Sequence, residues 1–319
     1  MTIIDVAKNL NLSTATISRA INGTGKIKAE TKKKVLDYIK EVGYTPNAIA
    51  INLSKQKTRN IAILVPNITN SFFSNLIEEI CKVFNEKKYN VMLYNTNESR
   101  DLEREAIRNI AAQRVNFVIA ILVKSNYSNN PLKRLQDFGV NCMLLDRDVD
   151  NYTFNGIFLD NYSGSYEITT ELLKEGHRDI GIITGDNSIT SSNERLRGYK
   201  DAIVNYGLKV NEDNIYIGKF NIETGENAVE YFKDKNVTSL YAVNNQILLG
   251  VLKRKLEINK ELRLACFEKS EVLESLGIEI LACKIPANTI SKALLQSLED
   301  GEIGKKYIKP ILINSEVKN

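Results

Sequence analysis

The most chemically pointed stretch of this chain is residues 14–22, where Thr14, Ala15, Thr16, Ser18, Arg19 and Asn22 set short side chains around a single arginine. Ile17 and Ile21 are interleaved at the spacing a helix reserves for its core face. Small side chains let a helix approach the floor of the DNA major groove, and an arginine there reaches guanine O6 and N7 as a bidentate pair. The elements that must position this helix are legible around it. Thr2 and Asp5 have the spacing of a capping box opening a first helix, whose apolar stripe is read as Ile4, Val6, Ala7 and Leu10. Asn11 stands at the turn, where asparagine tolerates left-handed backbone, and Ser13 is placed to cap the second helix. A third helix is expected over about 29–43. The same periodicity would describe a plain three-helix bundle; the polar run on the second helix is what favours DNA.

Charge follows the same division. Residues 1–59 hold eleven Lys and Arg against four Asp and Glu, a net of +7, while the remainder holds 32 against 35. A basic arm on a slightly acidic body is the footprint of a polyanion partner. Lys32, Lys33 and Lys34 are the densest basic cluster, either a solvated face or a set of phosphate contacts.

From residue 61 the pattern changes to short apolar runs alternating with amphipathic stretches. The runs are IAILV 61–65, VMLY 91–94, FVIAILV 117–123, CMLL 142–145, IGIIT 180–184, SLYAV 239–243 and RLACF 263–267. Such alternation means βαβ units and parallel sheets, and about ten strands exceed one tidy sheet, so two α/β lobes are expected. At 319 residues, with 43% hydrophobic and 26% charged residues, the composition is that of an ordinary globular protein. No run of 18 apolar residues is present to span a membrane, and no signal-peptide core precedes the first helix, so a cytosolic location is expected. The four cysteines are far apart and read as buried reduced thiols, and His177 is the only histidine. Neither a metal nor a cofactor is expected. The absence of G-x-x-x-x-G-K-[ST] and G-x-S-x-G motifs and of a catalytic histidine argues against an enzyme.

The stretch DVAKNLNLSTATISRAIN at 5–22 resembles the headpiece of the lac-repressor (LacI/GalR) family of bacterial transcription regulators, with a ribose-repressor-like body. The likeness continues through EVGY at 41–44, NITNSFF at 67–73, LDRD at 145–148, LLKEGHRDIGIITG at 172–185 and RLRGY at 195–199. It implies an all-α helix-turn-helix headpiece at 1–44, a hinge helix and linker at 45–59, and a two-lobed α/β body of parallel sheets at 60–319. That body would resemble periplasmic sugar-binding proteins. Its N-lobe would be about 60–159 plus 287–304 and its C-lobe about 160–286 plus 305–319, with three chain crossings between them. The hinge would carry Ala50 at the approach of two hinge helices and Leu53 as a minor-groove wedge, unless Leu53 merely packs on the body. Ile51 stands where many members have Arg. The resemblance implies a homodimer on a pseudo-palindromic operator, controlling sugar-related genes. The exposed face of the first body helix, around Leu76, Ile80 and Val83, is the candidate seam.

An inter-lobe effector cleft follows from the same likeness. Asn70, Phe72 and Phe73 would supply an amide and two rings, and Asp146 and Arg147 follow a strand at the carboxyl end where α/β ligands bind. Arg195 is read as opening the helix after ITG, with Phe220, Asn244 and Glu268 following later strands. Each piece has a plainer alternative: Phe72 and Phe73 as core, Asp146 and Arg147 as a local salt bridge. The far side departs from the family pattern at Asn245, Glu268 and Ile285, while Lys269 and Lys284 would suit a phosphate. The expected effector is therefore a pentose or sugar phosphate; the alternative is a degenerate cleft answering to a protein corepressor or to no ligand.

Overall fold

Residues 1–23, 25–44, 59–113, 115–257, 262–301 and 304–314 are described by the computed structural model, and they fall into two units, Met1–Thr58 and Arg59–Asn319. The first unit contains α1 (Ile3–Leu10), α2 (Thr14–Asn22) and α3 (Ala29–Glu41). The capping box forms: Thr2 N donates to Asp5 Oδ2 at 2.7 Å, and Asp5 N donates to Thr2 Oγ1 at 3.3 Å. Asn11 adopts φ 53°, and Ser13 Oγ accepts from Thr16 N at 3.1 Å. Val6, Ala7, Leu10, Ile17, Ala20 and Val35 form the core, with Ile3, Ile21 and Tyr38 packed against it. The expected stripe needs one correction. Ile4 is 66% exposed, because the buried face runs through Ile3, Val6, Ala7 and Leu10, an i, i+3, i+4, i+7 series that leaves Ile4 outside. The expected hinge, with Ala50, Ile51 and Leu53, lies outside the described residues.

The second unit is built on two six-stranded sheets. One takes β1 (Asn60–Val65), β2 (Asn90–Asn95), β3 (Phe117–Ala120), β4 (Asn141–Leu145), β5 (Asn155–Leu159) and β11 (Lys305–Ile308), in the spatial order β11-β5-β4-β3-β1-β2. The other takes β6 (Ile180–Thr184), β7 (Ile215–Ile217), β8 (Ser239–Ala242), β9 (Arg263–Cys266), β10 (Leu281–Lys284) and β12 (Ile311–Asn314), in the order β12-β10-β9-β8-β6-β7. Every pairing is parallel except β10 with β12. The two lobes thus repeat one winding order. Covered on both faces, their central strands are apolar throughout, as at Phe117–Ala120, where all four residues are buried.

Between the strands run α4 (Ser71–Glu86), α5 (Arg100–Ala112), α6 (Pro131–Asp137), α7 (Asn161–Lys174), α8 (Thr190–Asn205), α9 (Ile222–Phe232), α10 (Asn245–Arg254), α11 (Glu271–Ser275) and α12 (Ala287–Asp300). The chain changes sheet three times, after β5, after β10 and after β11. One boundary moves. Residues 305–308, expected in the C-lobe, pair with β5 in the first sheet, and only β12 returns to the second. The candidate seam is also overturned: Leu76, Ile80 and Val83 are 2%, 0% and 7% exposed and belong to the core, because α12 packs on that side of α4.

Helices α9 and α10 meet glycine to glycine. A Cβ on Gly225 would lie 2.0 Å from the Ile247 carbonyl oxygen, and one on Gly250 would lie 2.0 Å from that of Ile222. Backbone rather than flexible side chain stands in the way, so an added methyl must part the helices. We expect Gly225→Ala to destabilise the body by about 1–3 kcal/mol, the ordinary cost of overpacking. Urea unfolding of the variant checks this, and an unchanged midpoint would mean that the helix pair is loosely held.

Candidate functional site

The carboxyl ends of the central strands of both sheets open onto one cavity, the place where wound parallel sheets bind ligands. Its free volume is about 20 Å³, and it is lined by Asn70, Phe72, Phe73, Asp146, Arg147, Ser191, Arg195, Phe220, Asn244 and Glu268. All nine residues singled out from the sequence meet there. Ser191, in the first turn of α8, had no signal in the sequence beyond its neighbourhood to Arg195.

The first lobe supplies the aromatic wall and one buried ion pair. Asn70 caps α4, its Oδ1 accepting from Phe72 N at 3.1 Å, which sets both phenylalanines at the mouth of the first βα unit. Their rings are 5.0 Å apart at 58°. The Arg147 guanidinium is 5.8 Å from the Phe73 ring centre and does not pair with the adjacent Asp146; Glu98 holds it at 3.0 and 2.9 Å in a two-pronged bridge. It also donates to the carbonyls of Leu122 and Val123, both at 3.1 Å. Buried Glu103 fixes the loop that supplies those carbonyls, accepting from Val123 N and the Tyr127 hydroxyl, each at 2.7 Å. Glu98 and Glu103 are functional-site partners that sequence reasoning missed, because the pairings span 49 and 20 residues.

Asp146 is the least satisfied group in the site. Its backbone is left-handed, φ 63°, with its N–H held by the Ile157 carbonyl at 3.0 Å. The side chain is buried, and Oδ1 has no hydrogen-bond partner among the described residues. Burial pushes its carboxyl above the usual range, with Arg195 and Arg147 pulling the other way.

The second lobe places Arg195 on the second turn of α8, not at its start. Arg195 Nε donates to Asn161 Oδ1 at 2.8 Å, Nη1 donates to the Val243 carbonyl, and the guanidinium lies 3.7 Å from the centre of the Phe267 ring. Glu268 is 3.9 Å from Arg195 and accepts from Asn245 N at 3.3 Å. Burial pushes the Glu268 carboxyl up to about 7, against the opposing pull of Arg195. Asn244 caps α10 through Ile247 N at 2.9 Å. Phe220 sits against Gly185, where a Cβ would lie 2.7 Å from the ring. Hydrogen bonds cross between the lobes: Asn245 Nδ2 to Ser71 Oγ at 3.3 Å, Thr190 N to Ser125 Oγ at 3.0 Å and Asp148 N to Thr190 Oγ1 at 3.2 Å.

Lys269, Lys284 and Ile285 are not brought to this cavity. They line an adjoining recess beside α4 that shares Phe72 and Glu268 with the cavity, and Lys269 is bound to Glu274 at 2.7 Å. A phosphate on these lysines would sit in the adjoining recess rather than in the cavity itself. His177 Nδ1 is 2.9 Å from Thr238 Oγ1, just beyond α7, and burial lowers its pKa. The only histidine therefore plays a structural part.

In the first unit, Thr14, Ala15 and Arg19 are exposed on α2, and Thr16, Ser18 and Asn22 are half-buried. Thr16 shares a hydrogen bond with Ser13 at 2.9 Å, and Asn22 Nδ2 turns back onto the Ser18 carbonyl at 2.9 Å. Arg19 carries no ion pair among the described residues. Lys32, Lys33 and Lys34 are exposed on α3.

The chain is similar to known regulators along nearly all of its length. The RegA transcriptional regulator of Clostridium saccharobutylicum is 30% identical over 263 residues, 81% of this chain and 78% of that one. Catabolite control protein A of Priestia megaterium is 26% identical over 325 residues, 99% and 95% of the two chains. The crystal structure of the Lac repressor dimer bound to operator and the anti-inducer ONPF matches with a TM-score of 0.84 at 20% identity, covering 98% of each chain. The model for bacterial regulatory proteins of the lacI family matches residues 2–47, and that for periplasmic binding proteins and the sugar binding domain of the LacI family matches 58–284. On these matches, and on the helix-turn-helix and two-lobed body that carry them, the chain belongs to the LacI family of DNA-binding transcriptional regulators.

Proposed function

We propose that this regulator represses sugar-related genes, reading a pseudo-palindromic operator through Thr14, Ala15, Thr16, Ser18, Arg19 and Asn22. It is released or recruited by a small sugar-like effector held in the inter-lobe cavity. It acts by binding rather than catalysis, in the cytosol where its DNA lies. Two half-sites about one helical turn apart, or a multiple of that, need two reading helices, so the working form is a homodimer. Ala50 and Leu53 are assigned the hinge contact and the minor-groove wedge, on the family likeness alone.

The observation that carries the effector reading is Asp146 Oδ1, a buried carboxyl oxygen of a cavity-lining residue to which nothing donates among the described residues. Leaving such an atom unpaired is costly, and a sugar hydroxyl is the donor that would relieve it. Phe72, Phe73 and Phe220 offer flat apolar faces to a ring, while Asn70, Asn244 and the two arginines frame its edge. With about 20 Å³ free, the cavity as it stands has room for little more than a water, so a monosaccharide such as a pentose enters when the lobes part. Closure of two lobes on such a ligand shifts the protein only by its differential affinity for the closed state.

Asp146→Ala should weaken effector binding by on the order of 1–3 kcal/mol or more while leaving DNA binding intact. Calorimetry with pentoses, hexoses and their phosphates measures it. No heat from any of them with the wild-type protein would replace the effector reading by a degenerate cleft. Arg19→Ala should cost about 1–3 kcal/mol on a site selected from a random DNA library, and less on random DNA. Gel shifts showing the same loss on both would remove Arg19 from base readout. A third expectation concerns pH. A carboxyl whose folded pKa is raised to about 7 favours the folded state at low pH, and that contribution is lost as pH rises from the ordinary carboxylate range through 7. Glu268→Gln should remove on the order of 3 kcal/mol of this pH dependence, read from urea unfolding between pH 4.5 and 8. Some slope remains from Asp146, which burial raises in the same direction. An unchanged slope would mean that Glu268 titrates normally.

A further inference from the structure

We infer that Glu98 is a specificity-determining residue of the cavity: by filling the fork of Arg147 it bars anionic effectors and confines the site to uncharged monosaccharides. The inference rests on the effector reading above and adds the charge of the ligand. An arginine lining an effector cavity is otherwise the natural receiver of a phosphate or carboxylate, because its planar fork matches two oxygens at once. Here the Nη1/Nη2 edge of that fork is already occupied by Glu98, and Nη1 also donates to the carbonyls of Leu122 and Val123.

The pairing is built into the backbone. Asn97 and Glu98 both adopt left-handed conformations, φ 48° and 55°, which side-chain-bearing residues rarely take. Glu98 N donates to the Pro66 carbonyl at 2.8 Å, so the β2–α5 loop is held in that shape by main-chain bonding independent of any ligand. Backbone outliers over-determined by their surroundings gather at functional sites. The Arg147 side chain is 3% exposed and that of Glu98 is 40% exposed, so the carboxylate reaches the arginine from the solvent side.

The remaining charges agree. The second lining arginine, Arg195, is bound to Asn161 and the Val243 carbonyl and faces Glu268. Among the described residues no lysine lines the cavity itself, and three carboxyl groups, Glu98, Asp146 and Glu268, stand at it or against its two arginines. An anionic sugar would meet two arginines that each already have a carboxyl group beside them.

The test is the ratio of affinities for a neutral sugar and its charged derivative, measured by calorimetry on the full chain. The probes are D-ribose against D-ribose 5-phosphate, D-glucose against D-glucose 6-phosphate, and D-galactose against D-galacturonate. The wild type should prefer the neutral member of a pair that binds by about tenfold or more, and Glu98→Gln should cut that preference by about tenfold, chiefly by improving the anion. Glu98→Asp, which keeps the charge, should retain the preference. A merely structural role for Glu98 would weaken both members together and leave the ratio alone; that result overturns the inference. So does a wild type that binds the phosphate or uronate as tightly as the neutral sugar, provided Asp146→Ala abolishes the binding, and the effector cavity then still stands. Should Glu98→Gln fail to unfold cooperatively, the wild-type ranking and Glu98→Asp decide. No binding of any probe to the wild type ends the effector reading and this inference with it.

Discussion

Two guanidinium groups buried where the carboxyl ends of two parallel sheets face each other set the terms for the rest of this molecule. Taking such an ion out of water costs several kcal/mol unless its donors are met. The fold meets them from far along the chain. Arg147 draws on Glu98 and on the carbonyls after β3; Arg195 draws on Asn161, the carbonyl after β8 and the face of Phe267. Each lobe therefore contributes one compensated cation to the cavity. The carboxylate left without a donor, at Asp146, marks where the compensation is incomplete.

The repeated strand order explains why the site is divided so evenly. In each lobe the winding reverses on either side of the first strand, between β1 and β3 and between β6 and β8. Those reversals open crevices at the carboxyl ends, and the chain's three crossings turn the two crevices toward each other. Polar contacts on both sides of the cavity, Asn245 with Ser71 and Thr190 with Ser125 and Asp148, hold the lobes closed. These contacts, with the main-chain bond from Ser125 N to the Ser188 carbonyl, lie outside the strands, so a hinge motion can make and break them without disturbing either sheet.

Much of this was legible in the amino-acid sequence, for a physical reason. Local signals act over a few residues: the Thr2–Asp5 capping box, the left-handed Asn11, the Ser13 cap and the unbroken apolar runs of the buried strands all form as their spacing implies. The nine cavity residues were found through the family likeness, and all but Arg195, on the second turn of α8, follow a strand or open the helix after it, where parallel sheets present ligand-binding side chains. Errors arose where a face had to be assigned without knowing its neighbour. Ile4 looked like core and is exposed; Leu76, Ile80 and Val83 looked like a free face and are covered by α12, which comes 200 residues later.

What the sequence determined, then, was the kind of element at each position and the order of elements, since periodicity, caps and β-branched runs are written in neighbouring residues. Tertiary structure alone decided the partners of the charged groups and the edge each sheet ends on. Residues 305–308 close the first sheet, Glu98 rather than Asp146 takes Arg147, and Lys269 and Lys284 stand outside the cavity. Coulombic and hydrogen-bond compensation depends on distance in space, and these groups are brought together only when β-strands far apart in the chain pair and cross.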